Sequence, residues 1–119
     1  MGMLEVRMEI ANPQRMELRA AVTLLVDTGA NYSMIPRRVL DQIGFAPLQR
    51  AEFEIADGRR IHREIGEAVF FWNSKHRTST VIFGDDSDTA VLGVVALEEL
   101  ALEVDPVNKQ LRPAKLILY

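Results

Sequence analysis

Leu24-Leu25-Val26-Asp27-Thr28-Gly29-Ala30 places an acid directly after three large apolar side chains. That is where a strand running through a core would emerge from it. A carboxylate leaving apolar surroundings needs hydrogen bonds or a partner, or its pKa rises. Thr28 offers a hydroxyl, and Gly29 lets the backbone turn sharply and approach another chain or a ligand closely. A turn or helix-capping aspartate and a functional acid both satisfy the bare tripeptide. Its position behind a hydrophobic strand weighs toward function.

Upstream of this stretch the pattern has a period of two. Leu4, Val6, Met8 and Ile10 alternate with Glu5, Arg7 and Glu9, and Met16, Leu18, Ala20, Val22 and Leu24 share a second apolar face. Asn12-Pro13-Gln14 between them is turn chemistry, too short for a parallel crossover, so the two strands form an antiparallel hairpin. Downstream, Ser33 to Ile43 has helical spacing, with Ser33 as N-cap, Pro36 in the first turn and Gly44 as the stop. Ala51 to Val69 reads as a long hairpin with Asp57-Gly58 as a two-residue turn. Phe70, Phe71 and Trp72 end it, and Asn73-Ser74-Lys75 turns into a strand over Arg77 to Phe83. Ala90-Val91-Leu92 is a short strand broken by Gly93, and Val94 to Leu100 is helical. Leu102 to Val104, an Asp105-Pro106 turn and a strand over Leu111 to Tyr119 complete the pattern. Eight or so short strands with two short helices predict an all-β or β-dominated domain.

Composition narrows the function classes. At 119 residues the chain has the length of one domain, 1–119. Hydrophobic residues make up 48%, too many for a disordered chain. With no cysteine, disulfides, thiolate zinc sites, iron–sulfur clusters and cysteine nucleophiles are excluded. A net charge of −3 argues against a general nucleic-acid binder. No apolar run approaches the ~20 residues that span a bilayer, and the alternating Met1 to Ile10 is unlike a signal peptide. These features predict a soluble, cytoplasmic domain without a membrane partner.

Residues 24–30 resemble the active-site segment of the retropepsin-like aspartic proteases, the retroviral-type branch of the pepsin clan. Ala90-Val91-Leu92-Gly93 resembles that family's hydrophobic-hydrophobic-Gly element, which packs behind the catalytic loop. Leu97 to Leu111, with Leu102-Glu103-Val104-Asp105-Pro106, is similar to the ending of cellular and prokaryotic members. The likeness runs over residues 16–113 in the family's order. It implies a closed, barrel-like acid-protease lobe with one or two short helices and a flap hairpin. It also implies that Asp27 is the catalytic carboxylate, that the Thr28 hydroxyl bonds across a subunit interface, and that the Gly29 carbonyl faces substrate. Ala30 completes the supporting turn. The same likeness implies a flap with its tip at Ala56, Asp57, Gly58 and Arg59. Asn31 and Tyr32, just after the turn, are candidates for lining the substrate cleft, though Tyr32 can equally pack on the helix.

The family's reaction uses two carboxylates sharing one proton. This chain holds one Asp-Thr-Gly and no Asp-Ser-Gly, so an enzyme of this kind must be a twofold homodimer acting on a peptide or protein substrate. No metal or organic cofactor is implied. Ala30 lacks the hydroxyl with which a serine could stabilise the ionised dyad, so the expected pH optimum is less acidic than that of Asp-Thr-Gly-Ser enzymes. The rival reading is a catalytically weak or inactive clan relative, a peptide-binding or dimerisation module.

Other features read more plainly. Gly84 to Asp88 lacks the ligand spacing of a calcium loop and is a solvated turn. His62 and His76 have no zinc-site partner pattern, and no nucleophile elbow surrounds Ser33. Trp72 with Phe70 and Phe71 reads as core or dimer contact. Arg59, Arg60 and Arg63 make the flap basic, which suits solubility more than recognition of acidic substrates.

Overall fold

The computed structural model describes residues 4–118. Among the described residues, nine strands are interrupted by two six-residue helices, one after the third strand and one after the seventh. The first hairpin forms as expected: β1 (Glu5–Asn12) and β2 (Arg15–Val26) are antiparallel with Val6 opposite Leu24 and Met8 opposite Val22. Strand β3 (Ser33–Pro36) leads into α1 (Arg37–Gln42), and β4 (Gln49–Glu54) pairs with β5 (Arg60–Trp72). Then come β6 (Lys75–Gly84), β7 (Val91–Leu92), α2 (Val94–Glu99), β8 (Leu102–Asp105) and β9 (Gln110–Pro113).

Seven strands make one sheet in the order β1-β2-β7-β3-β6-β5-β4. It closes on itself because β1 also pairs with β5, Ile10 lying opposite Phe70. The alternating apolar rows fill the inside: Met8, Ile10, Leu24, Ile35, Phe70, Val81 and Leu92 are buried. The helices add Leu40 from α1 and Ala96 and Leu97 from α2 to the same core. This is the β-dominated domain that the pattern predicts, closed as the resemblance implies. No helix among the described residues is long and apolar enough to cross a membrane.

Three local expectations are corrected. Ser33 to Pro36 is a strand, so Ser33 caps no helix and α1 begins only at Arg37. The cause is Pro36: the residue before a proline is held extended, which keeps Ile35 out of the helix, and Pro36 itself takes the N-cap position at φ −54°, ψ 138°. The hairpin turn is longer than the two-residue loop expected of Asp57-Gly58. Gly58 donates to the Ile55 carbonyl, Ile55 donates to that of Arg59, and Gly58 alone in the turn has positive φ. A two-residue type I′ turn would need positive φ at Asp57 as well. The last strand stops at Pro113, which has no N–H to continue a ladder, and 114–118 carry no regular structure. Tyr119, at the end of the expected strand, lies outside the described residues, as do Met1, Gly2 and Met3.

Candidate active site

Asp27 to Tyr32 form the loop between β2 and β3, and both flanking strands pair with β7. Leu25 and Val26 lie parallel to Val91 and Leu92, while Met34 lies antiparallel to Val91. The loop is therefore fastened from one side. Leu25 donates to the Ala90 carbonyl at 2.9 Å and Asp27 to that of Leu92 at 3.0 Å. From the first turn of α2, Val94 donates to Ala30 at 2.9 Å and Val95 to Asn31 at 3.0 Å. First-turn N–H groups have no acceptor within their own helix, so the loop carbonyls satisfy them.

Gly93 explains why this approach is so close. A Cβ there would lie 2.7 Å from the Asn31 oxygen and 2.7 Å from the Tyr32 carbonyl carbon. Its N–H donates to Ser33 Oγ at 3.0 Å, and both residues are buried. The pattern of residues does not single out Ser33 for this task. A short polar side chain at the head of a buried strand is the signal that would have done so.

Asp27, Thr28 and Gly29 are exposed in the single chain, so the strand's apolar surroundings end before the carboxylate. Asp27 Oδ1 accepts the Gly29 N–H at 2.9 Å, and the Asp27 carbonyl accepts that of Ala30 at 3.1 Å. A Cβ on Gly29 would stand 3.2 Å from Oδ1, so glycine keeps the carboxylate's flank open. Among the described residues the Thr28 hydroxyl and Asp27 Oδ2 have no hydrogen-bond partner. Asn31 and Tyr32 are exposed beside them. The loop thus presents one oriented carboxylate and one hydroxyl to whatever faces it.

Ala56, Asp57, Gly58 and Arg59 stand together at the exposed tip of the β4–β5 hairpin. No hydrogen bond or ion pair among the described residues joins that tip to the Asp27 loop. Three of the hairpin's four arginines are each matched by a carboxylate: Arg59 with Asp57 at 2.6 Å, Arg60 with Glu52 at 3.3 Å and Arg63 with Asp85 at 3.4 Å. At the tip and along β5 this local neutralisation weakens the field of those three arginines. His62 lies 3.4 Å from Glu52, and His76 stacks against Phe71 with centroids 5.5 Å apart. No cluster of three or more His, Asp or Glu side chains able to hold a metal occurs among the described residues. Phe70 is fully buried and Trp72 packs against the core.

The closed all-β lobe, with its aspartate loop clipped to a hydrophobic-Gly strand, has a fold shared with solved retroviral proteases. Among solved structures the chain is similar to EIAV protease complexed with the inhibitor HBY-793. The match has a TM-score of 0.65 at 16% identity and covers 98% of this chain and 94% of that one. It is similar also to a foamy viral protease-reverse transcriptase in complex with an RNA/DNA hybrid. There the TM-score is 0.59 at 14% identity, over 98% of this chain and 13% of the larger one. At these identities the likeness is one of fold. No protein-family model and no curated protein matches the chain.

Proposed function

We propose that this chain is a single retropepsin-like domain that works as an aspartic endopeptidase, its active site assembled across a twofold homodimer. The carrying observation is the Asp27 loop. An exposed carboxylate accepts the Gly29 N–H, on a loop whose backbone is hydrogen-bonded to β7 and α2, in a fold shared with retroviral proteases. One such carboxylate per chain makes a second copy necessary.

In the dimer the two Asp27 side chains share one proton. The ionised one takes a proton from a bound water, whose oxygen attacks the scissile carbonyl carbon. The protonated one gives its proton to the carbonyl oxygen. As the tetrahedral intermediate collapses, the C–N bond breaks and the leaving nitrogen takes the proton that the first Asp27 drew from water. A gem-diol hydroxyl returns a proton to the second, restoring the singly protonated pair. The apparent pKa values belong to the pair. The unpartnered Thr28 hydroxyl supports a bond across the interface that braces the two loops. The β4–β5 hairpin, tip at Ala56–Arg59, serves as the flap, closing over an extended peptide held by main-chain hydrogen bonds, with Asn31 at the cleft edge. Leu116, Ile117 and Leu118 are 78%, 61% and 99% exposed, and such a run of apolar side chains suits burial against a second copy. Two carboxylates and a water suffice, so the mechanism calls on no metal or organic cofactor.

The test is hydrolysis of a casein-like protein across pH 3–7, with sedimentation to measure assembly. Asp27→Asn is expected to abolish cleavage while leaving folding and dimer formation intact. Equal activity of the variant, or a chain that stays monomeric while cleaving, overturns the proposal. A dimer that binds peptide without cleaving it would establish the binding-module reading instead.

A further inference from the structure

Two adjacent residues at the base of the β4–β5 hairpin meet two side-by-side residues of the body, each with its charge opposite. Arg63 Nη2 donates to Asp85 Oδ2 at 3.4 Å, and Arg37 Nη2 donates to Glu64 Oε1. Arg37 and Asp85 are neighbours because β3 and β6 run parallel with Pro36 opposite Gly84, and each is the next residue out of the sheet. The Arg37 guanidinium also lies over the Phe83 ring, 4.9 Å from its centroid, which fixes where that charge stands. All four charged residues line one cleft of about 240 Å³.

Their position along the hairpin matters. β5 pairs with β6 only from Ile65 onward, whereas residues 60–64 pair with β4 alone. Arg63 and Glu64 are therefore the last residues before the hairpin joins the body. The charge order selects one arrangement: exchanging partners would set Arg63 on Arg37 and Glu64 on Asp85, like on like. Arg50 stands cross-strand from Glu64, adding a cation on the same side of the balance.

We propose that Arg37, Arg63, Glu64 and Asp85 form a charge clasp that positions the hairpin in one attitude relative to the body. They are positioning residues, none of them in the Asp27 loop or at the hairpin tip. The catalytic consequence rests on the reading of this hairpin as a flap; the clasp does not. The side chains are partly exposed, Arg63 at 29% and Asp85 at 69%, so salt screens them and each pair acts modestly.

The experiment is amide hydrogen exchange over residues 50–62, at low ionic strength and at about 0.5 M salt. Wild type is expected to lose protection at high salt. Arg37→Glu and Glu64→Arg singly are expected to raise exchange about two- to fivefold at low salt, and the double swap to restore it. The neutral pair Arg63→Gln with Asp85→Asn is expected to reduce the salt dependence, leaving only the Arg37–Glu64 share, while thermal stability stays near wild type. Single reversals that exchange like wild type, or a swap without rescue, overturn the clasp. In peptide hydrolysis the single reversals should raise KM more than they lower kcat, with the swap again restoring KM. If the wild-type chain cleaves nothing, the peptidase reading fails, and the exchange measurements still decide the clasp.

Discussion

The backbone N–H of Gly93 donates to Ser33 Oγ across 60 residues of chain, joining the strand after the Asp27 loop to the turn before α2. Ser33→Ala leaves that buried N–H unsatisfied, at a cost of about 1–3 kcal/mol. Thermal unfolding should show the loss, and amide exchange across 27–32 should rise. Gly93→Ala is expected to be worse, because its Cβ would meet Asn31 and Tyr32 backbone rather than a flexible side chain. A Ser33→Ala protein as stable as wild type would show that the bond is dispensable.

Ala30 sits one residue beyond Gly29, its N–H on the Asp27 carbonyl. In the proposed dimer, Ala30→Ser introduces a hydroxyl able to stabilise the ionised Asp27 pair. The acid limb of the pH–activity profile is expected to move down by up to about one pH unit. A wild-type optimum near pH 2, or a variant whose acid limb moves upward, contradicts this.

Asp105 is held below the usual carboxylate range, first by the Asn108 side chain, then by the Asn108 and Val107 N–H groups and the nearby Arg112. A lowered folded pKa means stability that is complete above the unfolded value of ~3.9 and disappears as pH falls through the folded one. Asp105→Asn should therefore lower Tm by a constant amount near neutrality. The gap from wild type should narrow below about pH 4. A gap that widens in acid has the opposite sign and rejects this assignment.

Ser79 is buried on β6 and its hydroxyl has no partner among the described residues. Ser79→Ala removes an unsatisfied polar atom, so stability should be unchanged or raised by up to about 1 kcal/mol. Denaturant unfolding measures this, and a loss above about 1 kcal/mol would reveal a partner for the hydroxyl.

The period-two rows of β1 and β2, the stop at Gly44 and the order of the Asp27 loop, hairpin and Leu92-Gly93 were legible from residue order. They were legible because each expresses a short-range preference: which face is apolar, where φ turns positive, where a core strand ends. The same local preferences misled at Ser33, where helical spacing competed with the extended backbone that Pro36 imposes on Ile35. They also misled at Leu111 to Tyr119, where apolar content suggested a strand that Pro113 ends.

What the chain alone announces is a chemistry, an aspartate and a hydroxyl on a glycine turn behind a hydrophobic strand, in a β-rich domain. The tertiary structure decides how that turn is held and what surrounds it. Ser33 meets Gly93, Arg37 meets Glu64 and Arg63 meets Asp85 across long separations. Such meetings depend on how a seven-stranded sheet closes and which strands run parallel, and no local preference encodes them.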